Sequence, residues 1–467
     1  MPALLRGLVL LALIVSLVSP LPAQAGFMDF SIKDEAELGR KFNAMIRSRF
    51  PLIEDPIITG YVHDLLEDIL KSMPPQPFPV SVSVILDNSI NAFAAPAGYV
   101  FLNSGLILHM EHSSEVAAVL AHELAHVSQR HLARNIERSK MLSIGTLVGV
   151  LAGALLSGSS EAGEALAMGS LAGGQAAALK YSRDDEREAD HIGLSYLVDS
   201  GYPSEGMVHS FERIQQQQFM SGTAAPPAYM LTHPGLSERI GTIQDLAQRF
   251  SGQENTEEDA DQMLRRVQVL IRARYTEASS AIRYFDHAPE ELTCLERLGK
   301  AIVLERLNRI SQAEEFLDQA EQCMGDDPLW FREAGIFAFK HGRFEEALSH
   351  LEQGLKRDPD DIMALYYRSR TQAEMGEFQA AADGLKQVVD QLPEDREVHT
   401  TLGRIFGRSG DEFHGYLHFA YSALYANQAE KIQLYLDKAE SAAQTGRHQQ
   451  ELEEFKEEFE DRRQYWE

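Results

Sequence analysis

The stretch SSEVAAVLAHELAHVSQRHLA, residues 113–133, sets His122, Glu123 and His126 in the order His-Glu-x-x-His, with no Pro or Gly along it. Free of helix breakers, it reads as one helix, expected from about Ser113 to Ser139. Side chains four residues apart on a helix share a face. Both imidazoles can therefore reach one metal ion, and Glu123, one step round, can touch a water held beside it. Two unrelated surface histidines would show the same spacing, so a third ligand elsewhere in the chain has to decide.

A zinc site that does hydrolysis takes three protein ligands and keeps one position open. In one known zinc spacing a third His follows the second by six residues, with a Gly between. Here Leu132 stands at that place and Gln129 replaces the Gly, while His131 is out of register and is expected on another face. A downstream carboxylate is needed. Residues 181–191, YSRDDEREADH, supply candidates at a helix start, with Ser182 as N-cap, Asp184 and Asp185 in the first turn and Gly201 as the stop. Glu186 and Asp190 are four apart on that helix. Glu186 is the expected third ligand. Asp190, a turn on, is placed to accept a hydrogen bond from a ligating imidazole and fix its tautomer. Glu188 is rotated away, and Glu161 and Glu164 sit in a Gly-rich piece without rigid context. With one Zn2+ per chain, Glu123 is the expected general base of peptide hydrolysis. His233, in Thr232-His233-Pro234, reads either as a structural loop histidine or as a catalytic or gating group facing the open position.

Upstream, residues 31–72 look helical and a Pro-rich piece at 74–79 ends them. Residues 80–86 alternate as a strand does, and Tyr99–Leu102 read as a second strand beyond the Pro96-Ala97-Gly98 turn. With Pro this close, an edge strand is expected. Asn91, Ala92, Phe93, Tyr99, Val100 and Phe101 then form a substrate edge able to hold an extended peptide; an ordinary hairpin under the helices is the other reading. Downstream of the Ser182 helix, residues 203–219 form another, and Arg239 lies on a short helix reaching about Phe250.

Beyond a polar stretch at 251–261, read as a linker, the chain repeats. Gly342, Gly376 and Gly410 are 34 apart, as are Phe344 and Phe378, Ala313, Ala347 and Ala381, and Pro359 and Pro393. That is the tetratricopeptide helix–turn–helix period. The register becomes uneven after about Asp411, and a charged helical stretch near 430–467 reads as a cap. Cys294 and Cys323 are the two cysteines and stand at similar distances either side of a turn near Asn308-Arg309. In an antiparallel helix pair those positions are neighbours, so a disulfide is expected in an oxidising compartment.

Arg6, an apolar run from Gly7 to Val18 and Ala23-Gln24-Ala25 read as a signal peptide, residues 1–25, cleaved after Ala25. The expected compartment is the bacterial periplasm. A net charge of −27 argues against nucleic acid and against a basic attachment to anionic lipid. The uncharged run from Met141 to Ser160 and the similar Ala165–Leu179 read as a helical hairpin over the cleft, with peripheral membrane contact as the alternative.

The set Asn91-Ala-Phe…Gly98, His122-Glu-Leu-Ala-His126, Ser182-Arg…Glu186…Ala189-Asp190 and Thr232-His-Pro234, followed by the repeats, resembles the periplasmic zinc proteases that serve outer-membrane barrel assembly. Their catalytic domain is similar to that of integral-membrane heat-shock and prenyl-protein zinc proteases. The resemblance covers nearly the whole mature chain. It implies a mainly α fold: a gluzincin-like α+β peptidase domain over 26–250 with a small edge sheet, then an α-solenoid of tetratricopeptide repeats over 262–467. It implies zinc on His122, His126 and Glu186 with Glu123 as base. It further implies degradation of unfolded or misassembled outer-membrane proteins, chaperone-like help in their assembly, and contact with the barrel-assembly machinery through the repeats. A repeat-based chaperone or adaptor with latent proteolysis is the competing expectation.

Overall fold

The computed structural model describes residues 30–139, 147–148, 181–220, 228–250, 258–287 and 291–463. The segment read as a signal peptide and nearly all of the hairpin 141–179 lie outside them.

Residues 31–72 form two helices rather than one, α1 (Ile32–Arg49) and α2 (Pro56–Leu70). Pro51 and Pro56 explain the break, since each lacks the N–H a continuing helix needs. Asp55 caps α2, accepting from Ile57 N–H at 3.0 Å, with Pro56 at the first helical position. Next come β1 (Ser81–Ile85), β2 (Ala92–Ala94) and β3 (Tyr99–Asn103). Their order is β1-β3-β2, with β1 parallel and β2 antiparallel to β3. The expectation for Tyr99, Val100 and Phe101 is thereby corrected. They lie on the central strand, paired on both sides, and offer no free edge. The tight turn at Pro96–Gly98 folds β2 back onto one side of β3, while β1 takes the other. Of the expected substrate edge only the Asn91–Phe93 side remains at the sheet margin. Under the sheet, Phe42 of α1 meets Phe93 and Phe101 edge-on, each at 6.4 Å between ring centroids.

After α3 (Ser104–His109), α4 runs from Ser113 to Ser128 and is buried throughout from Ser113 to His126. It is shorter than expected. Arg130 adopts a left-handed backbone (φ 49°), which ends α4 and starts α5 (His131–Ser139) in a new direction. The N-terminus of α4 has no cap of its own. Asp261, more than a hundred residues on, caps it, accepting from Ser113 N–H at 2.7 Å and lying 2.8 Å from His112 Nδ1. The N-terminal half closes with α6 (Arg183–Asp199), α7 (Glu205–Met220), α8 (Ala228–Thr232) and α9 (Leu236–Ala247).

The stretch expected as a linker is helical from Glu258, where α10 (Glu258–Leu270) begins. Helix pairs then follow: α11 (Ala278–Asp286), α12 (Cys294–Arg306), α13 (Ile310–Met324), α14 (Pro328–Lys340), α15 (Phe344–Arg357), α16 (Ile362–Glu374), α17 (Phe378–Gln391), α18 (Arg396–Ser409), α19 (Glu412–Tyr425), α20 (Ala429–Ala442) and α21 (Gly446–Arg463). The pairing continues past Asp411 to the last described residues, so the uneven sequence register there does not mark the end of the array. Gly342, Gly376 and Gly410 all take positive φ at the turn inside a pair, and Asn308 does so one repeat earlier. Asn tolerates the left-handed region, so it serves where a Gly pattern alone would miss the turn. Cys294 and Cys323, at the outer ends of α12 and α13, are bonded, with Cα atoms 5.9 Å apart. A buried charge network ties the halves together: Arg332 of α14 lies 3.2 Å from Asp55 at the head of α2 and 3.0 Å from Glu333, which also takes Arg274.

Candidate metal centre

Helix α4 supplies His122, Glu123 and His126, and α6 supplies Glu186 and Asp190. The two helices cross closely because Gly193 has no side chain: a Cβ there would stand 3.0 Å from the His122 Cα. That contact draws α6 down until Glu186 meets both imidazoles, 3.6 Å from His122 Nε2 and 3.6 Å from His126 Nε2. The two Nε2 atoms are 3.1 Å apart. His233, just beyond α8, brings Nδ1 to 3.0 Å from Glu186 and 3.4 Å from His122 Nε2. All four side chains are buried, with one ligand atom of each within 4.8 Å of the others.

These separations are the observation that tests a zinc ion against the residues present. Four ligands held at 2.0–2.2 Å in a tetrahedron stand roughly 3.3–3.6 Å from one another. Two imidazoles, a carboxylate and a third imidazole at such distances are the donor types zinc takes. Glu123 Oε1 and His233 Nε2 face each other at 3.3 Å, fully buried and without a hydrogen-bond partner. The residues fit the ion.

Glu123 stands at the sheet margin. Its Oε2 accepts the Ala94 N–H at 3.0 Å. The neighbours Asn91 and Ala95 bond across to β3, so Ala94 turns its N–H the other way, into the site. Asp190 lies 3.2 Å from His122 Nδ1. Sequence reasoning missed the residue that binds the carboxylates together. Arg239 of α9 donates to both Asp190 oxygens, at 2.7 and 2.5 Å, and to Glu186. Nothing in its local pattern marks it, because its partners are about fifty residues away. Also missed were Tyr181, stacked on His126 at 3.7 Å, and Tyr229, stacked on His233 at 4.3 Å. His131, expected on another face, instead reaches His126, with Nδ1 atoms 2.8 Å apart. On an unbroken helix a residue five further on lies roughly 140° round; the turn at Arg130 brings it back.

The electrostatics put a proton on His122 that has to leave before a metal can enter. Burial raises Glu186, but His233 and Arg239 outweigh it and hold the carboxyl well below its usual range. Burial and the His122 cation hold His126 well below the ordinary imidazole value. Both are ready to ligate at neutral pH. Burial also works against the His122 cation, yet Asp190 and Glu186 prevail and raise its pKa to about 9. In the metal-free protein this folded value exceeds the unfolded 6.5, so the stability it contributes is present below pH 6.5 and lost as pH rises through 9. Zinc must displace that proton. Its apparent affinity should climb about tenfold per pH unit up to about pH 9. Calorimetry at pH 7 in buffers of different ionisation enthalpy should report proton release on zinc binding, and release of none would contradict this. Burial raises Glu123 above the usual carboxylate range.

Fold and site together define a metallopeptidase domain joined to a tetratricopeptide array. Residues 56–247 match the family model described as Peptidase family M48, and residues 338–405 that of the tetratricopeptide repeat. The chain carries a domain of each kind. It is similar to the beta-barrel assembly-enhancing protease of Escherichia coli, 34% identical over 221 residues, which are 47% of this chain and 45% of that protein. A Vibrio cholerae protein provisionally given the same name is 32% identical over 306 residues, 64% of this chain and 62% of that one. The mitochondrial metalloendopeptidase OMA1 of Schizosaccharomyces pombe is 31% identical over 187 residues, 40% of this chain and 52% of its own length. The chain thus spans between 45% and 62% of the length of these relatives. Among the described residues no helix is long and apolar enough to cross a membrane.

Proposed function

We propose that the chain is a zinc-dependent endopeptidase of the bacterial periplasm that acts on unfolded or misassembled outer-membrane barrel proteins and helps their assembly, with the repeats presenting clients or meeting the barrel-assembly machinery. The observation that supports this most is the buried meeting of His122, His126, Glu186 and His233 beside Glu123. His122, His126 and Glu186 would hold the ion. Zinc supplies Lewis acidity, which makes water a nucleophile at neutral pH and polarises a carbonyl. Glu123 takes the proton from that water and returns it to the leaving amine. Burial raises its pKa above the usual carboxylate range, the direction that favours a proton-accepting role. Asp190 and Arg239 orient His122 and Glu186. The domain limits we adopt are 26–250 for the peptidase and, because α10 begins at Glu258, 258–467 for the repeats.

One observation favours a second reading, a repeat-based chaperone or adaptor with latent proteolysis. His233 stands where a fourth ligand would, and so holds the position a substrate needs. Displacement of His233 would then switch the enzyme on.

Metal analysis with a cleavage assay on an unfolded barrel protein tests the proposal. The purified chain should carry one zinc, lose cleavage on chelation and regain it with added zinc. Cleavage that persists without metal would sink the proposal.

A further inference from the structure

Two groups of metal-ligating side chains stand close together among the described residues: the centre above, and His131 with Asp185 and Glu188. The second group does not call for a cation, because it already has one. Arg134 Nη2 lies 2.9 Å from Glu188 Oε2 and 3.4 Å from Asp185 Oδ1. His131 is fully buried between this group and the centre. Its Nε2 is 3.0 Å from Glu188, and its Nδ1 is 2.8 Å from His126 Nδ1.

We propose that His131 is a positioning residue for the metal centre, fixing the tautomer and the plane of His126 through a chain that runs from His126 to His131 to Glu188 and Arg134. This rests on the reading above, in which His126 holds zinc through Nε2.

The hydrogen atoms leave one arrangement. A ring that ligates through Nε2 carries its proton on Nδ1. The atom 2.8 Å away must accept it, so His131 Nδ1 is bare and the His131 proton sits on Nε2. There Glu188 accepts it at 3.0 Å. Arg134 holds Glu188 in place, and Tyr181, stacked on His126 at 3.7 Å, fixes the ring from its face. The left-handed backbone of Arg130 makes the contact reachable, and its guanidinium is pinned 2.6 Å from Glu35 of α1. The two metal imidazoles are thus anchored differently. His122 faces a carboxylate, Asp190, and His126 faces a neutral ring. Such outer partners set metal affinity as well as ligand orientation.

The test uses the full chain and reads zinc affinity by competition with a chromophoric chelator, together with the visible spectrum of the cobalt(II) form. His131→Phe keeps a ring and removes the acceptor. It should weaken zinc by about 10–100-fold and alter the cobalt spectrum. His131→Asn places an oxygen near the position of Nδ1 and should recover most of the loss. A His131→Phe protein with the parent's affinity and spectrum overturns the proposal, and so does a His131→Asn protein as weak as His131→Phe. If circular dichroism shows that His131→Phe does not fold, Glu188→Ala carries the test from a half-exposed position. It should weaken zinc by about tenfold, and unchanged affinity overturns the chain. A parent that takes up no zinc overturns the reading of the centre itself, a result distinct from a parent and a His131→Phe variant that bind zinc equally well.

Discussion

Replacing Glu123 with Gln is expected to lower turnover of an unfolded barrel protein by about 10²–10⁴-fold, the span attributable to a positioned general base, with zinc content unchanged. The substitution keeps size and shape. A Gln oxygen can still accept the Ala94 N–H that Glu123 receives at 3.0 Å. Glu123 lies outside the set His122, His126, Glu186 and His233, so the metal does not depend on it. What changes is the ability to take a proton. Fold stability should be held or improved, because a fully buried carboxylate is exchanged for a neutral amide and burial already disfavours the charged form. Cleavage kinetics beside metal analysis make the check, and a Glu123→Gln protein that cleaves at the parent rate would remove Glu123 from the chemistry. The same variant separates the competing roles. If it relieves assembly defects in cells while cleaving nothing, the repeats act without proteolysis.

How much of this centre can be read from sequence depends on how each residue reaches it. His122 and His126, like Glu186 and Asp190, are pairs four apart on single helices, and helical geometry alone puts each pair on one face. That the two faces meet is a tertiary fact, carried by Gly193, whose importance is invisible until α4 lies against it. His131 is out of register only on a helix that runs unbroken to Ser139. Arg130 breaks it with no Gly or Pro to announce the break. The edge expected at Tyr99–Leu102 fails for a related reason. A Pro beside a strand suggests an edge, but which strand lies outside depends on where β1 pairs, and β1 is separated in sequence from β3. The repeats are legible because a 34-residue period is written in the turn glycines, and the turn expected near Asn308-Arg309 falls in the same phase, with Asn308 in the left-handed region. Asp261 read as linker polarity, whereas in the fold it caps the helix that carries the metal ligands.

Arg239→Met should cost the metal-free protein about 3–5 kcal/mol, the range for removing one partner of a buried ion pair. Met fills much of the same volume, so packing against Phe211, which the guanidinium now covers at 5.2 Å, is largely kept and the charge is the variable. In the parent, Arg239 answers two buried carboxylates at once, Asp190 through two hydrogen bonds and Glu186 through a third. Without it, the ion pairs left among the described residues are those of Glu186 with His122, His126 and His233, and that of Asp190 with His122. One imidazolium between two carboxylates does not replace a fixed guanidinium. Zinc can offset part of the loss, because it brings positive charge to Glu186. The destabilisation should therefore be smaller in the zinc-loaded protein than after chelation. Urea unfolding of parent and variant, each with zinc and with chelator, measures all four states. Equal stability of the two metal-free proteins would mean that the carboxylates do not depend on Arg239. An equal loss with and without zinc would mean that the ion does not sit against Glu186, and the ligand assignment would then fail at its third member.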